Sequence, residues 1–247
     1  MSAGSTDRSL SGKVAVVTGG TRGIGRAIAE KLASQGAKVT ITGRGDSLSK
    51  DINSSVFGFL AVDFLEDSQV AAAVAQIEKL EPDILVNNAG ITAVGGIAEL
   101  DLCAYSRVEK VNIRAPFILS RAVIPTMTKR KWGRIINISS IFGVIGRDNR
   151  SPYCVTKFGL NGMTVALSAE VAQFGVLVNS VCPGFINTEL TASVLSEVEL
   201  NDLISKVPAR RLGTPIEVAE LVGWLSGPSN TFVSGQSIVI DGGYTCV

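Results

Sequence analysis

Histidine is absent from this 247-residue chain. That removes the side chain most used as a general base near neutral pH and as a metal ligand, so it argues against a zinc enzyme and no metal is expected. An excess of one charge is also missing, with 23 basic against 22 acidic residues. Nothing global therefore favours nucleic acid or a membrane surface as partner. The stretch Lys129 to Arg134, with Trp132 inside it, is basic, but a net charge of +1 argues against a nucleic-acid role. No apolar run reaches membrane-spanning length. The four cysteines, Cys103, Cys154, Cys182 and Cys246, lack metal-ligand spacing and read as scattered buried thiols of a reducing compartment. Cys154, next to Tyr153, has the alternative reading of a reactive thiol. The first residues, Met1 to Arg8, are small and polar without the apolar core of a signal peptide. A frayed tail over residues 1–10 and a cytoplasmic protein are expected.

What the chain does contain is an alternation. Short β-branched runs stand at Val14 to Val17, Val39 to Thr42, Gly58 to Val62, Ile84 to Val86, Arg134 to Ile138, Val176 to Val181 and Ser237 to Ile240. Several are apolar throughout, as in strands covered on both faces. Longer helical patterns lie between them, at Gly23 to Gln35, Ser68 to Leu80, Tyr105 to Arg130 and Tyr153 to Phe174. Repeated strand–helix alternation predicts one doubly wound α/β domain over residues 11–247, with a seven-stranded parallel sheet and helices on both faces.

The first strand runs into Thr18-Gly-Gly-Thr-Arg-Gly-Ile-Gly25 and then a helix. A glycine-rich turn in that place lets backbone approach a pyrophosphate at the positive helix end. The spacing Gly19, Gly23, Gly25 differs from the general dinucleotide fingerprint. At the end of the second strand, where an NAD site places an acid for the ribose hydroxyls, the chain has Gly43-Arg44. With Arg22 inside the turn, Arg44 offers a guanidinium for a 2′-phosphate. NADP(H) is the expected cofactor, with NAD(H) the alternative.

Tyr153 and Lys157 are four residues apart and share a helix face. A tyrosine is a poor acid–base catalyst until its pKa, ordinarily about 10, is lowered. A nearby ammonium does that.

The turn Thr18 to Gly25, Asn87-Asn-Ala-Gly90, Asn112, Ser140, Tyr153-x-x-x-Lys157 and Pro183-Gly184 together resemble the classical short-chain dehydrogenase/reductase family, along the chain from Gly12 to Gly243. The resemblance implies a homotetramer of Rossmann-type subunits carrying a nicotinamide cofactor. It assigns Tyr153 as the acid that protonates a carbonyl oxygen and Lys157 as its activator and ribose ligand. Ser140 would bond the substrate oxygen, and Asn112 would hold a water linking Lys157 to solvent. Ser139 and Ser140 point oppositely on a strand. The family's serine stands thirteen residues before the tyrosine, which selects Ser140. For the cofactor the resemblance implies Gly19, Thr21, Arg22, Gly23, Ile24 and Gly25 in the turn and Arg44 beside it. Asp63 would meet the adenine, Asn87 the adenosine ribose, and Ala89, Gly90, Pro183, Gly184, Ile186 and Thr188 the remainder. Asp63 can equally be a turn residue.

Within the family the chain is most similar to 3-oxoacyl-[acyl-carrier-protein] reductases, through Gly-Arg-Ile-Ile-Asn-Ile-Ser-Ser, Pro-Gly-Phe-Ile-Asn-Thr-Glu and Val207 to Gly213. Acyl carrier protein or a CoA thioester is thus an expected partner, with Lys129-Arg-Lys131 as a basic docking patch. Phe174 stands where these reductases carry a second basic residue. Arg147 and Arg150 stand where they carry small neutral ones, and could grip a carboxylate of a sugar acid or keto acid. Phe185 is the remaining candidate for substrate contact. Residues 187–210 are expected to form a substrate lid.

Overall fold

The computed structural model describes residues 8–45, 55–188 and 197–247. Seven strands are present: β1 Val14–Val17, β2 Lys38–Gly43, β3 Phe57–Ala61, β4 Ile84–Asn87, β5 Gly133–Ile138, β6 Val176–Pro183 and β7 Ser237–Ile240. All pair in parallel, in the order β3-β2-β1-β4-β5-β6-β7. The helices are α1 Gly23–Ser34, α2 Asp67–Leu80, α3 Leu102–Glu109, α4 Ala115–Arg130, α5 Ser151–Val171, α6 Glu197–Lys206 and α7 Pro215–Ser226.

The apolar runs make the two-sided sheet. Because successive strand side chains point to opposite faces, Ala15 and Val17, Ile84 and Val86, and Ile136 and Ile138 pack against α1 and α7. Their neighbours Val16, Leu85 and Ile135 pack against α2 and α4 on the other face. The two resulting cores hold the central strands rigid, so the loops at their C-terminal ends have a fixed frame.

Three features differ from the sequence expectation. The single helix expected from Tyr105 to Arg130 is broken by a π turn, Lys110–Arg114. Pro116 has no N–H to give the carbonyl of residue 112, and the Ala115 N–H reaches back five residues to the Lys110 carbonyl. Asn112 sits in that turn. Helix α7 was not anticipated, although Thr214-Pro-Ile-Glu217 announces it. Thr214 and Glu217 form a reciprocal capping box with Pro215 in the first turn. Leu10, which falls inside the tail expected over residues 1–10, is fully buried and its N–H donates to the Gln35 carbonyl at 2.9 Å.

Of the cysteines only Cys182 is buried; Cys103 and Cys246 are exposed and Cys154 is intermediate, which corrects the reading of all four as buried. Cys103 lies on the exposed first turn of α3 and Cys246 in the last turn of the chain, both at the surface. Of the lid expected over 187–210, residues 189–196 lie outside the described residues, and α6 follows them. No helix among the described residues is long and apolar enough to cross a membrane.

Candidate active site

Adjacent strands β1 and β4 are where the sheet order turns, since β1 leads outward to β2 and β4 leads the other way to β5. A crevice at the C-terminal ends of such a pair is the usual ligand site of an open α/β sheet. Two segments line it, and they are tied together. The Thr18 hydroxyl accepts the N–H groups of Asn88 at 2.9 Å and Ala89 at 3.0 Å. The Asn88 amide donates to the Thr18 carbonyl at 2.9 Å and to the Gly19 carbonyl at 3.1 Å. Asn88 was not singled out from the sequence; only its place in Asn87-Asn-Ala-Gly90 pointed to it.

The glycines of the turn are required by shape. Gly19 and Gly23 have φ of +63° and +54°, in the left-handed region that favours glycine. A Cβ on Gly25 would stand 2.3 Å from the Gly19 carbonyl oxygen and 2.4 Å from the Asn88 amide nitrogen. Arg22 caps α1 without a side-chain bond, and the first turn of α1 carries no acid. The leading N–H groups and the positive helix end are thus left for an anion. This cradle fits a pyrophosphate. Thr188 reaches the turn from the loop after β6, its side chain 3.7 Å from where a Gly23 Cβ would be.

Toward the adenosine end, Thr21 packs on Gly43, where a Cβ would meet its methyl at 2.7 Å. Arg44 follows at once and is exposed, as is Arg22. Asp63 accepts the Leu65 N–H at 3.0 Å, the turn role that was its alternative reading. Asn87 is placed differently from expectation. Its side chain is 2% exposed and donates to Asn137 at 2.8 Å and Ser120 at 3.3 Å, inside the α4 layer. An amide on a strand must choose one face, and this one turns its Nδ2 into the α4 layer.

The candidate catalytic groups converge. Tyr153 lies in the first turn of α5, with Ser140 near enough to its hydroxyl to pull its pKa down. The Ser140 hydroxyl is oriented by accepting the Phe142 N–H at 3.1 Å. Ser139 points the other way and donates to the Lys157 carbonyl at 3.2 Å. Lys157 is buried, its ammonium 2.8 Å from the Ile138 carbonyl and 5.5 Å from the Tyr153 ring centre. Burial pulls its pKa down to about 8. Burial also pushes Tyr153 upward, against the Ser140 hydrogen bond and the Arg150 charge, which pull it down.

Asn112 serves the loop before it. Its oxygen accepts the Ile91 N–H at 2.9 Å, and its amide donates to the Ile91 carbonyl at 2.9 Å and to Thr156 at 3.2 Å. Both amide hydrogens are thereby used, and the side chain ties the loop at Ile91 to α5 through Thr156. Gly90 is squeezed between, with its absent Cβ 3.5 Å from Asn112 and 3.7 Å from the Lys157 ammonium. Beyond the tyrosine, Tyr153, Phe142, Phe185 and Tyr244 form a chain of edge contacts at 6.4, 6.1 and 5.1 Å. Of these, Phe142 and Tyr244 were missed; neither has a sequence signal apart from proximity to Ser140 and to the Gly242-Gly243 turn. Pro183 and Gly184 carry Phe185 to this place, and Ile186 is buried beside Gly213.

The two arginines separate. Arg147 is exposed and paired with Asp148 at 3.3 Å. Arg150 is half-buried and donates to the Thr92 hydroxyl at 3.2 Å.

A sheet with this crossover point, a glycine cradle below it and a tyrosine, serine and lysine gathered above it define a nucleotide-dependent oxidoreductase. Comparison with known proteins agrees: a model of the short chain dehydrogenase family matches residues 13–199, and the chain belongs to that family. It is 41% identical to the 3-oxoacyl-[acyl-carrier-protein] reductase FabG of Aquifex aeolicus (strain VF5), over 95% of this chain and 98% of that one. A solved structure from Beutenbergia cavernae, provisionally assigned as an NAD(P)-dependent gluconate 5-dehydrogenase and holding NADP at low occupancy, superimposes with a TM-score of 0.92 at 32% identity. It covers 98% of this chain and 100% of that one. Another, provisionally assigned as a betaketoacyl-ACP reductase, has a TM-score of 0.87 at 34% identity, covering 96% of this chain and 99% of that one.

Proposed function

We propose that this enzyme reduces a ketone to a secondary alcohol with NADPH, and that the ketone is the 3-oxo group of an acyl thioester. The observation that carries the reaction type is Tyr153 at the crevice with Ser140 acting on its hydroxyl, beside a buried Lys157. The glycine turn from Gly19 to Gly25, Ala89, Gly90 and the Pro183 to Thr188 loop would hold the dinucleotide, with Arg22 and Arg44 toward a 2′-phosphate. When bound, that cofactor supplies the hydride. Tyr153 holds the proton at its phenolic oxygen and delivers it to the carbonyl oxygen, which Ser140 positions by hydrogen bonding. The aromatic chain from Phe142 to Tyr244 keeps water from the reacting carbon.

The NADP(H) preference is supported by Arg44 in place of an acid after β2 and by the NADP in the Beutenbergia cavernae structure. The thioester is supported by the reductases this chain resembles and by the basic Lys129 and Lys131, while Arg130 between them is paired with Glu81. We further infer a homotetramer, since Val155, Phe158 and Val165 on α5 are exposed apolar side chains, as are Trp224 and Phe232 at another face. Four unpaired cysteines support a reducing, cytoplasmic compartment.

A second reading, a dehydrogenase of a sugar acid or other hydroxy acid, is favoured by Arg150, whose guanidinium has no carboxylate partner among the described residues. One experiment tests both. Acetoacetyl thioesters and a panel of sugar and keto acids would be assayed with NADPH and NADH in parallel. Turnover of the thioester with NADPH supports the first reading; turnover of the acids alone replaces it with the second.

A further inference from the structure

Resting on that reductase reading, we propose that Tyr244 is a specificity-determining residue. It forms the far end of an apolar track that takes the alkyl tail of a medium-chain 3-oxoacyl thioester. The track is the row of rings that starts at Tyr153. Phe142 meets Tyr153 at 6.4 Å, Phe185 meets Phe142 at 6.1 Å and Tyr244 meets Phe185 at 5.1 Å, each edge to face. Phe142, Phe185 and Tyr244 are all half-buried, so each ring keeps part of its apolar surface uncovered. Uncovered aromatic surface running away from a reacting group rewards an apolar substituent that lies along it. Of the two arms of a 3-oxo ketone, the alkyl arm is the apolar one. It lies on the row, and the order of the rings becomes an order of methylenes.

The fold holds Tyr244 in that place. It opens a short 3-10 turn, Tyr244–Cys246, just after β7. The Asp241 carboxylate braces this turn, accepting the Gly243 N–H at 2.9 Å and the Thr245 N–H at 2.7 Å. Gly242 and Gly243, with φ of +64° and +90°, reverse the chain as only glycine does readily. The Gly242 carbonyl accepts the Ala209 N–H at 3.0 Å, which ties the turn to the segment after α6. On the other side, the Gly184 N–H donates to the Ile240 carbonyl at 2.9 Å. Gly184 also lies so near Asp241 that its absent Cβ would stand 2.6 Å from the Asp241 Cβ. The loop that carries Phe185 and the turn that carries Tyr244 are thus locked together. Beyond Tyr244, Cys246 and Val247 are exposed, so the track ends at this ring.

The test is kcat/KM with NADPH for acetoacetyl-CoA, 3-oxooctanoyl-CoA and 3-oxododecanoyl-CoA, read as ratios between chain lengths. Wild type is expected to favour 3-oxooctanoyl over acetoacetyl by on the order of a hundredfold, at about threefold to fourfold for each added methylene. The 3-oxododecanoyl chain should gain roughly tenfold more as it covers Tyr244. Tyr244→Ala should erase that last gain and keep the first ratio, whereas Phe185→Ala should lower the first ratio by about tenfold. Tyr244→Phe should keep the wild-type profile, because the ring and not the hydroxyl makes the contact. Tyr244→Gln keeps bulk at the turn without the apolar face and should act as Tyr244→Ala does, so the outcome does not hang on one variant folding. An even loss at every chain length in the Tyr244 variants overturns the proposal and makes the ring structural. A gain for 3-oxododecanoyl in Tyr244→Ala also overturns it and makes the ring a barrier. A wild type that reduces acetoacetyl-CoA with no preference for longer chains sinks this inference alone; one that reduces none of the thioesters sinks the reductase reading with it.

Discussion

Replacing Lys157 by methionine should abolish turnover and stabilise the cofactor-free protein. At pH 7 a lysine whose pKa falls from 10.5 to about 8 destabilises the fold, because the folded state binds its proton less well than the unfolded chain. The difference of 2.5 units corresponds to about 3 kcal/mol at about 1.36 kcal/mol per unit. Methionine fills the same space without a charge. The cost is the hydrogen bond to the Ile138 carbonyl, 2.8 Å long, and leaving that carbonyl unpaired costs about 1–3 kcal/mol. The net gain is on the order of 1 kcal/mol, about 2–4 °C in Tm for a domain of this size. The folded pKa lies below the unfolded one, so the penalty is full below pH 8 and is relieved as pH rises toward 10.5. The advantage of the variant should therefore shrink over that window and reverse near its top. Urea unfolding of both proteins at pH 7 and pH 10, without cofactor, measures it. A Lys157→Met protein less stable than wild type at pH 7 by more than about 1 kcal/mol would refute the reasoning. So would a difference that does not narrow with pH.

Two further outcomes are expected. Gly25→Ala forces its methyl to within 2.3 Å of the Gly19 oxygen, so the turn must open. Equilibrium NADPH binding should weaken at least tenfold while the far-ultraviolet circular dichroism stays native, and unchanged affinity would remove the turn from the cofactor site. Arg44→Asp takes away a charge-assisted bond worth about 1.5–3 kcal/mol and adds repulsion, so NADPH affinity should fall by about 10- to 100-fold while NADH affinity holds or improves. Parallel titrations with the two cofactors read the switch, and equal losses for both would show that Arg44 does not face the 2′-phosphate.

The parallel sheet was legible because several of its strands are apolar on both faces, as in Ile84 to Val86, where no amphipathic alternative competes. The glycine turn was legible because only glycine tolerates both its positive φ and its close approach. Other parts were not. The break at Lys110–Arg114 depends on a single proline whose neighbours all favour a continuous helix. Asn87 reads from the sequence like any strand-end polar residue, and its direction toward Ser120 and Asn137 is a matter of register. Arg147 and Arg150 look equivalent in the chain; Asp148 takes one and Thr92 holds the other. The aromatic chain joins residues from three distant segments, and no local pattern announces contacts of that range.

The central claim is that Tyr153 delivers the proton to the substrate oxygen. Its most direct test is Tyr153→Phe, which keeps the ring against Phe142 and removes only the hydroxyl. NADPH binding should remain within a few-fold of wild type while kcat for ketone reduction falls by about a hundred- to ten-thousand-fold. A variant that binds NADPH and still reduces the ketone at a rate close to that of wild type would contradict the account.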